Sequence, residues 1–266
     1  MGIKDDFKVY TDQYGLVQPS PGETSGNGLL YTAEYILALA AHGALDDAEK
    51  QRLMAVYRAC QVLPGLMRRS PAGAPFCGDQ EGPDDYVGVG AAANLIGTSL
   101  AQDVVKYGQS QGADRWSSIT EDEGNQTWSK VLYWTLRVLS LGSPVRWVWN
   151  NNDPRGFSEA SWLGRQQNLV CHLQVAAGEN PPLWRKFWWC LTILSSMFSD
   201  PTDQDSWILS WLCVRTMGDR FWLCKWVGKL WTWKFKKAWP HGAGQLLGSY
   251  FNNEQHPLAV WLQDIF

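Results

Sequence analysis

Apolar side chains recur along this chain every three to four residues, and nowhere do polar and apolar positions alternate for long enough to predict a sheet. The spacing predicts helices over residues 30–41, 47–60, 86–100, 101–108, 125–141, 158–177, 183–198, 204–216, 221–238, 242–251 and 257–265. Boundary signals accompany many of them. His42-Gly43 suits a helix C-terminus, and Asp46-Asp47 suit the start of the next helix, where carboxylates favour the positive end. Ser158 precedes Glu159, Pro181-Pro182 precede Leu183, and Asp203 with Asp205 precede Trp207. His256-Pro257 opens the last helix, with His256 expected to cap or pack. Residues 62–82 hold Pro64, Gly65, Pro71, Gly73, Pro75, Gly78 and Gly82, which predicts a long ordered loop. The small residues Gly88, Gly90, Ala91, Ala92 and Ala93 permit close helix contacts.

Helices of ordinary length joined mostly by short turns define an all-α protein of antiparallel helical hairpins, read as a single domain over 1–266. Glu34, Asp84 with Asp85, and Asp205 are each expected in the first turn of an apolar helix, roughly alternate helices apart. Hairpins stacked around a ring or arc would gather these carboxylates at one end, the layout of an α/α toroid or arc.

Composition sharpens this picture. All 17 tryptophans follow residue 115, so an acidic, Trp-free part (1–115) precedes a Trp-rich, basic part (116–266). Residues 1–125 hold 17 acidic side chains against 9 basic ones, and residues 126–266 hold 9 against 14. A bipolar chain of this kind suits head-to-tail docking, oligomer formation or different partners on different faces. Mean hydropathy of -0.27 argues against an integral membrane protein. The charged first ten residues lack the apolar stretch of a signal peptide, which predicts residence in the cytoplasm of the producing cell. Six cysteines without a CxxC pair are expected to be reduced, buried thiols.

The densest polar constellation is Asp79, Glu81, Asp84, Asp85 and Tyr86. Two carboxyls in unlike environments are the minimum for glycoside hydrolysis, one kept protonated as acid and the other ionised. Glu34, Asp84 and Asp85 are therefore the candidate catalytic residues, with Tyr31, Tyr35 and Tyr86 as candidate substrate-binding neighbours. The alternative is that Asp84 and Asp85 are helix caps and Asp79 and Glu81 are loop surface. His172, amid Leu169, Val170 and Leu173, is either a substrate-binding residue or a semi-buried packing histidine. Asn150-Asn151-Asn152-Asp153 reads as a turn before Pro154 more readily than as a calcium site. No HExxH, GxSxG, P-loop or dinucleotide fingerprint is present, and no cofactor and no metal is expected.

Residues 221–239 (FWLCKWVGKLWTWKFKKAW) place Lys225, Lys229, Thr232 and Lys236 on one helical stripe, beside Trp222, Trp226 and Trp233. Such a segment suits an in-plane membrane helix. A core helix with snorkelling lysines accounts for it better, because the helices on either side could cover that face. No nucleic-acid-binding fold accompanies the stripe, so no nucleic-acid partner is expected.

The runs NGLLYTAEYILAL (27–39), PDDYVGVGAAANLIG (83–97), WLGRQQNLVCHLQVAAG (162–178) and QDSWILSW (204–211) resemble uncharacterised proteins encoded by tailed bacteriophages. The hairpin layout is similar, in architecture alone, to glycan-active α/α-toroid proteins. The resemblance implies manufacture in a host cytoplasm and a possible place in the virion. Three functions follow as expectations: binding or hydrolysis of a bacterial surface polysaccharide, a non-enzymatic virion component docked on other virion proteins, and peripheral association with a membrane.

Overall fold

The structure, a computed structural model, describes residues 2–23, 27–73, 83–110, 169–197, 204–217 and 220–266. The helix expected over 125–141, the start of that over 158–177, the run 150–153, Asp79, Glu81 and Cys77 lie outside the described residues.

The described chain is helical. Helix α1 (Ile3–Phe7) runs into a 3-10 turn, Lys8–Tyr10. Then come α2 (Gly28–Ala41), α3 (Asp47–Ala59), α4 (Pro83–Ile96) and α5 (Ser99–Ser110). Helix α6 spans 169–176, followed by α7 (Leu183–Ser196), α8 (Gln204–Met217), α9 (Trp222–Ala238), α10 (Gly242–Tyr250) and α11 (Pro257–Trp261). Two short strands, β1 (Gln61–Leu63) and β2 (Leu66–Met67), form an antiparallel hairpin inside the segment expected to be loop. Pro64-Gly65 makes its turn, with Gly65 at φ 92°. Strands of three and two residues are too short to show alternation, so the turn residues were legible and the strands were not.

Three mainly apolar helices lie inside the molecule, buried over most of their length. Residues Gly28 to Leu39 of α2 are all buried, as are Asp85 to Ala93 of α4 and the whole of α6. Helix α2 packs along α4, and α4 also touches α3, α5 and α8. Further contacts join α8 to α7 and α10, α7 to α9, α10 to α11, and α11 back to α2 and α1. Close approach of α2 and α4 depends on Gly88: a Cβ there would lie 2.7 Å from both the Leu29 carbonyl oxygen and Leu30 Cα. The small residues of this segment therefore act as the sequence implied.

Helix ends follow their local signals. Asp46 caps α3, its Oδ1 accepting from the Glu49 amide at 2.7 Å. His256 caps α11 through Nδ1, which accepts from the Leu258 amide at 3.2 Å. Helix α2 ends with Gly43 at φ 67°, while the Ala44 amide donates to Leu39 O and the Gly43 amide to Ala40 O. Among the described residues, apart from its chain neighbours, nothing lies within 4 Å of a Cβ built on Gly43, so the left-handed backbone is what opposes a side chain there. Gly43→Ala is expected to cost about 1 kcal/mol, read as a lower urea midpoint at unchanged slope. An unchanged midpoint would mean this glycine is dispensable.

Two expectations need correction. Helix α2 begins at Gly28, so Glu34 is not in a first turn but one turn further in, facing the interior. The helix expected over 86–100 breaks at Gly97 (φ 139°), and α5 starts at Ser99 rather than 101.

Candidate functional site

Three elements meet at the first turn of α2, where helix geometry leaves amides without intrahelical acceptors. Asn27, the residue at the cap position, makes no side-chain cap bond. Asp85 takes that place from α4: its Oδ1 accepts from the Leu30 amide at 3.3 Å. The carboxylate also sits at the positive end of the α2 dipole. Tyr57 of α3 donates its hydroxyl to the Leu29 carbonyl at 2.7 Å. Next to Asp85, the buried Tyr86 hydroxyl accepts from the Met67 amide at 3.0 Å and ties β2 to α4. Arg69 Nε stands 3.7 Å from Asp85 Oδ2, an ion pair with one partner a third exposed and the other sealed.

Burial pushes the Asp85 carboxyl up to about 7, against the opposing pull of Arg69 and of the Leu30 and Leu29 amides. Glu34 lies four residues, about 6 Å along the axis, beyond the Leu30 amide. It is fully buried, and among the described residues neither carboxyl oxygen has a hydrogen-bond partner. Burial alone pushes it up to about 8, so at neutral pH Glu34 keeps its proton. Both carboxyls act electrostatically on Tyr31 and Tyr57, whose pKa values burial raises well above the usual phenol range.

The structure thus brings Glu34, Asp85, Tyr31 and Tyr57 together. Asp84 is half-buried beside them in the first turn of α4. Tyr31 pairs its hydroxyl with that of Tyr250 at 3.3 Å. Tyr35 points elsewhere, against Phe7 and toward Glu49 Oε1 at 3.4 Å. Burial, and then the Glu49 charge, raise Tyr35 to about 12. His172 belongs to another side of α4. A Cβ on Gly90 would lie 2.3 Å from its ring, and burial lowers His172 to about 4, so the imidazole is neutral. Tyr57 and Arg69 were missed in the sequence, because only tertiary packing carries them to Asp85. A groove of about 550 Å³ runs along α3 beside Asp47, Lys50, Met54 and Arg58, and neither Glu34 nor Asp85 is in its wall.

A second constellation lies on the surface. Helix α9 turns Cys224, Val227, Trp231 and Phe235 inward and leaves Trp222, Trp226, Leu230 and Trp233 exposed. Helix α7, packed beside it, exposes Leu183, Phe187 and Leu191 at the same four-residue spacing. Leu183 is 75% exposed, Trp222 72% and Trp226 65%. Neither helix contains an acidic residue, while Arg185, Lys186, Lys225, Lys229, Lys234, Lys236 and Lys237 are all basic. The ammonium of Lys237 lies 3.9 Å from the Trp233 ring centre and that of Lys229 5.6 Å from Trp226. Indoles therefore serve two purposes: Trp189, Trp207, Trp211, Trp231 and Trp239 fill the interior, while Trp222, Trp226 and Trp233 face out.

No family model matches the chain, and no curated protein or solved structure matches it. Among the described residues, no helix is long and apolar enough to cross a membrane, and no group of three or more His, Cys, Asp or Glu could hold a metal ion.

Proposed function

We propose that this chain is a peripheral membrane-associated protein that rests on an anionic bilayer through the paired outer faces of α7 and α9. One observation carries the reading: seven large apolar side chains stand exposed on two adjoining helices whose charges are all positive. Leaving so much apolar surface in water is unfavourable, and contiguous patches of this kind mark interaction sites. Indoles suit the boundary between headgroups and acyl chains, and each lysine near an anionic surface adds about 1 kcal/mol. The phage resemblance gives the reading a setting, since a bacterial membrane presents anionic phospholipid to a protein made in the host cytoplasm.

The purified chain is expected to co-sediment with anionic vesicles and much less with zwitterionic ones, and salt should release it. Trp226→Ser with Trp233→Ser removes two exposed rings and leaves the core alone. The double variant should bind roughly tenfold more weakly per indole, ~1.4 kcal/mol each. Wild-type protein that stays in solution with both vesicle types would sink the reading and favour a virion neighbour as the occupant of this face.

A second reading keeps a bacterial glycan as ligand, supported by the unlike environments of Glu34 and Asp85. Packing of alternate helices, α2 on α4, α7 on α9 and α8 on α10, supports an α/α arc for such a site. Both carboxyls are sealed from solvent, however, so the surface reading has the better support. Loss of polysaccharide binding in Asp85→Asn, with folding intact, would reverse that order.

A further inference from the structure

Helices α7 and α9 run side by side in the same direction. Halfway along α7, Trp189 stands edge-on to Phe221, the residue before α9, with ring centres 5.8 Å apart. The Lys186 ammonium lies 5.3 Å from the centre of the same ring. At the last residue of α7, Ser196 Oγ accepts from the Trp231 indole N–H at 2.9 Å. Moving forward along α7 thus moves forward along α9, and both helix starts share one end of the exposed face. Among the described residues, the two most exposed large apolar side chains are the first residues of these helices, Leu183 and Trp222. One turn on, Phe187 and Trp226 are also more than half exposed, whereas Leu191 falls to 38% and Leu230 to 48% before Trp233. Charge is distributed the other way. At the shared start Arg185 donates to Oε1 of the buried Gln174 and Lys186 to Asn180 Oδ1, so both cations are engaged by the protein. Lys225 and Lys229 line the groove between α8 and α9. Lys234, Lys236 and Lys237 gather at the C-terminal end of α9, where the helix dipole also favours cations.

We infer that this face enters the bilayer at a tilt: the joined starts of α7 and α9 pass the headgroups into the acyl layer, and the lysine-rich end of α9 stays among the phosphates. The inference rests on the membrane reading and adds the part of the bilayer that is recognised, the acyl layer of a loosely packed anionic leaflet. Moving Leu183, Phe187, Trp222 and Trp226 out of water gains free energy in proportion to the area buried, whereas an ammonium carried into hydrocarbon loses its hydration. The two ends of the face are therefore drawn to different depths, and a tilt satisfies both. Lysine stems are long enough to keep their charge at the phosphates while Trp233 stays at the boundary. Four large side chains entering at one place spread the headgroups apart. Gaps between headgroups, as in a strongly curved leaflet, lower the cost of that entry.

Depth is measured with a nitrobenzoxadiazole label on one introduced thiol, at Leu183→Cys or at Lys237→Cys. Cys60, Cys171, Cys190, Cys213 and Cys224 are buried, so with Cys77→Ala added to both chains the introduced thiol takes the label. Vesicles of phosphatidylglycerol and phosphatidylcholine carry a nitroxide either on the headgroup or midway along the acyl chain. The acyl nitroxide is expected to quench the label at 183 more strongly than the headgroup nitroxide does, and the order is expected to reverse at 237. Leu183→Ser with Trp222→Ser, both at exposed positions, should weaken binding about tenfold or more and leave its salt dependence as in the wild type. Lys236→Gln with Lys237→Gln should instead flatten the salt dependence. Small sonicated vesicles should bind the wild type more tightly than large extruded ones of the same lipids. The same quenching order at 183 and 237 means a flat attachment, which overturns this inference and leaves the membrane reading in place. Affinity that ignores vesicle size, or an unweakened Leu183→Ser, Trp222→Ser chain, does the same. Wild-type protein that binds no vesicle overturns both readings.

Discussion

Gly88→Ala is expected to destabilise the fold by ~3 kcal/mol or to prevent folding at 37 °C, the upper end of what overpacking a core costs. The added methyl would lie 2.7 Å from Leu29 O and Leu30 Cα, and 2.9 Å from Leu29 C. All three are main-chain atoms of a helix buried on every side, so no rotamer change can make room, and α2 and α4 must separate. Separation also lengthens the bond from the Leu30 amide to Asp85, which sits one turn before Gly88 on the same side of α4. Gly90→Ala presses on the His172 ring instead, and a side chain can be removed. His172→Ala should relieve Gly90→Ala, giving a favourable coupling in a double-mutant cycle, and should do nothing for Gly88→Ala. Urea titrations decide the matter. A Gly88→Ala midpoint within error of wild type would show that α2 and α4 are not packed this closely.

The second large effect is a dependence on pH. Glu34 titrates near 4.5 in the unfolded chain and at about 8 in the fold, and Asp85 near 3.8 and at about 7. Between each pair of values the folded state binds the proton that the unfolded state has lost, so stability is intact at low pH and falls as pH rises. His172 and His256 have the opposite sign, because burial lowers both from 6.5 to about 4. Their contribution is present above 6.5 and is lost as pH falls toward 4. The two trends offset each other between about 4.5 and 6.5. Above 6.5 only the acids still titrate, and stability should fall toward pH 8 by about 1.4 kcal/mol per pH unit for each acid still titrating. Glu34→Leu removes an unpartnered polar group and retains much of the side-chain volume. It is expected to stabilise the protein by ~2 kcal/mol at pH 8 and by less at pH 6. Thermal melts at the two values test this. A Glu34→Leu protein less stable than wild type at pH 8 would mean that the carboxylate has a favourable environment after all.

Local signals were legible in the sequence to the extent that they act locally. The stop at His42-Gly43, the cap at Asp46 and the start at His256-Pro257 each involve residues within a few positions of one another, and all three are present. The stripe of Trp222, Trp226 and Trp233 was readable for the same reason, since helical periodicity separates them from Trp231. Its continuation across Leu183, Phe187 and Leu191 was not, because one helix does not disclose which other helix lies beside it. Asp85 shows the limit most clearly. Its type and position in a first turn suggested either catalysis or a cap for its own helix, and it caps a different helix. Glu34 was misplaced because a helix buried from Gly28 to Leu39 has no exposed side to mark its phase, and its first residue, Gly28, does not look like a helix start.

The bond from the Leu30 amide to Asp85 joins residues 55 positions apart. During synthesis α2 leaves the ribosome well before α4 exists, carrying an apolar surface on all sides and an uncapped first turn. An isolated 14-residue helix is marginal in water, so α2 is not a stable seed to which later segments attach. Helix α2 meets α4 and gains its Asp85 cap only once the chain through α4 has emerged. Until then the nascent chain is a hydrophobic segment in need of shelter, and its burial requires closing a long loop, a slower event than winding a helix.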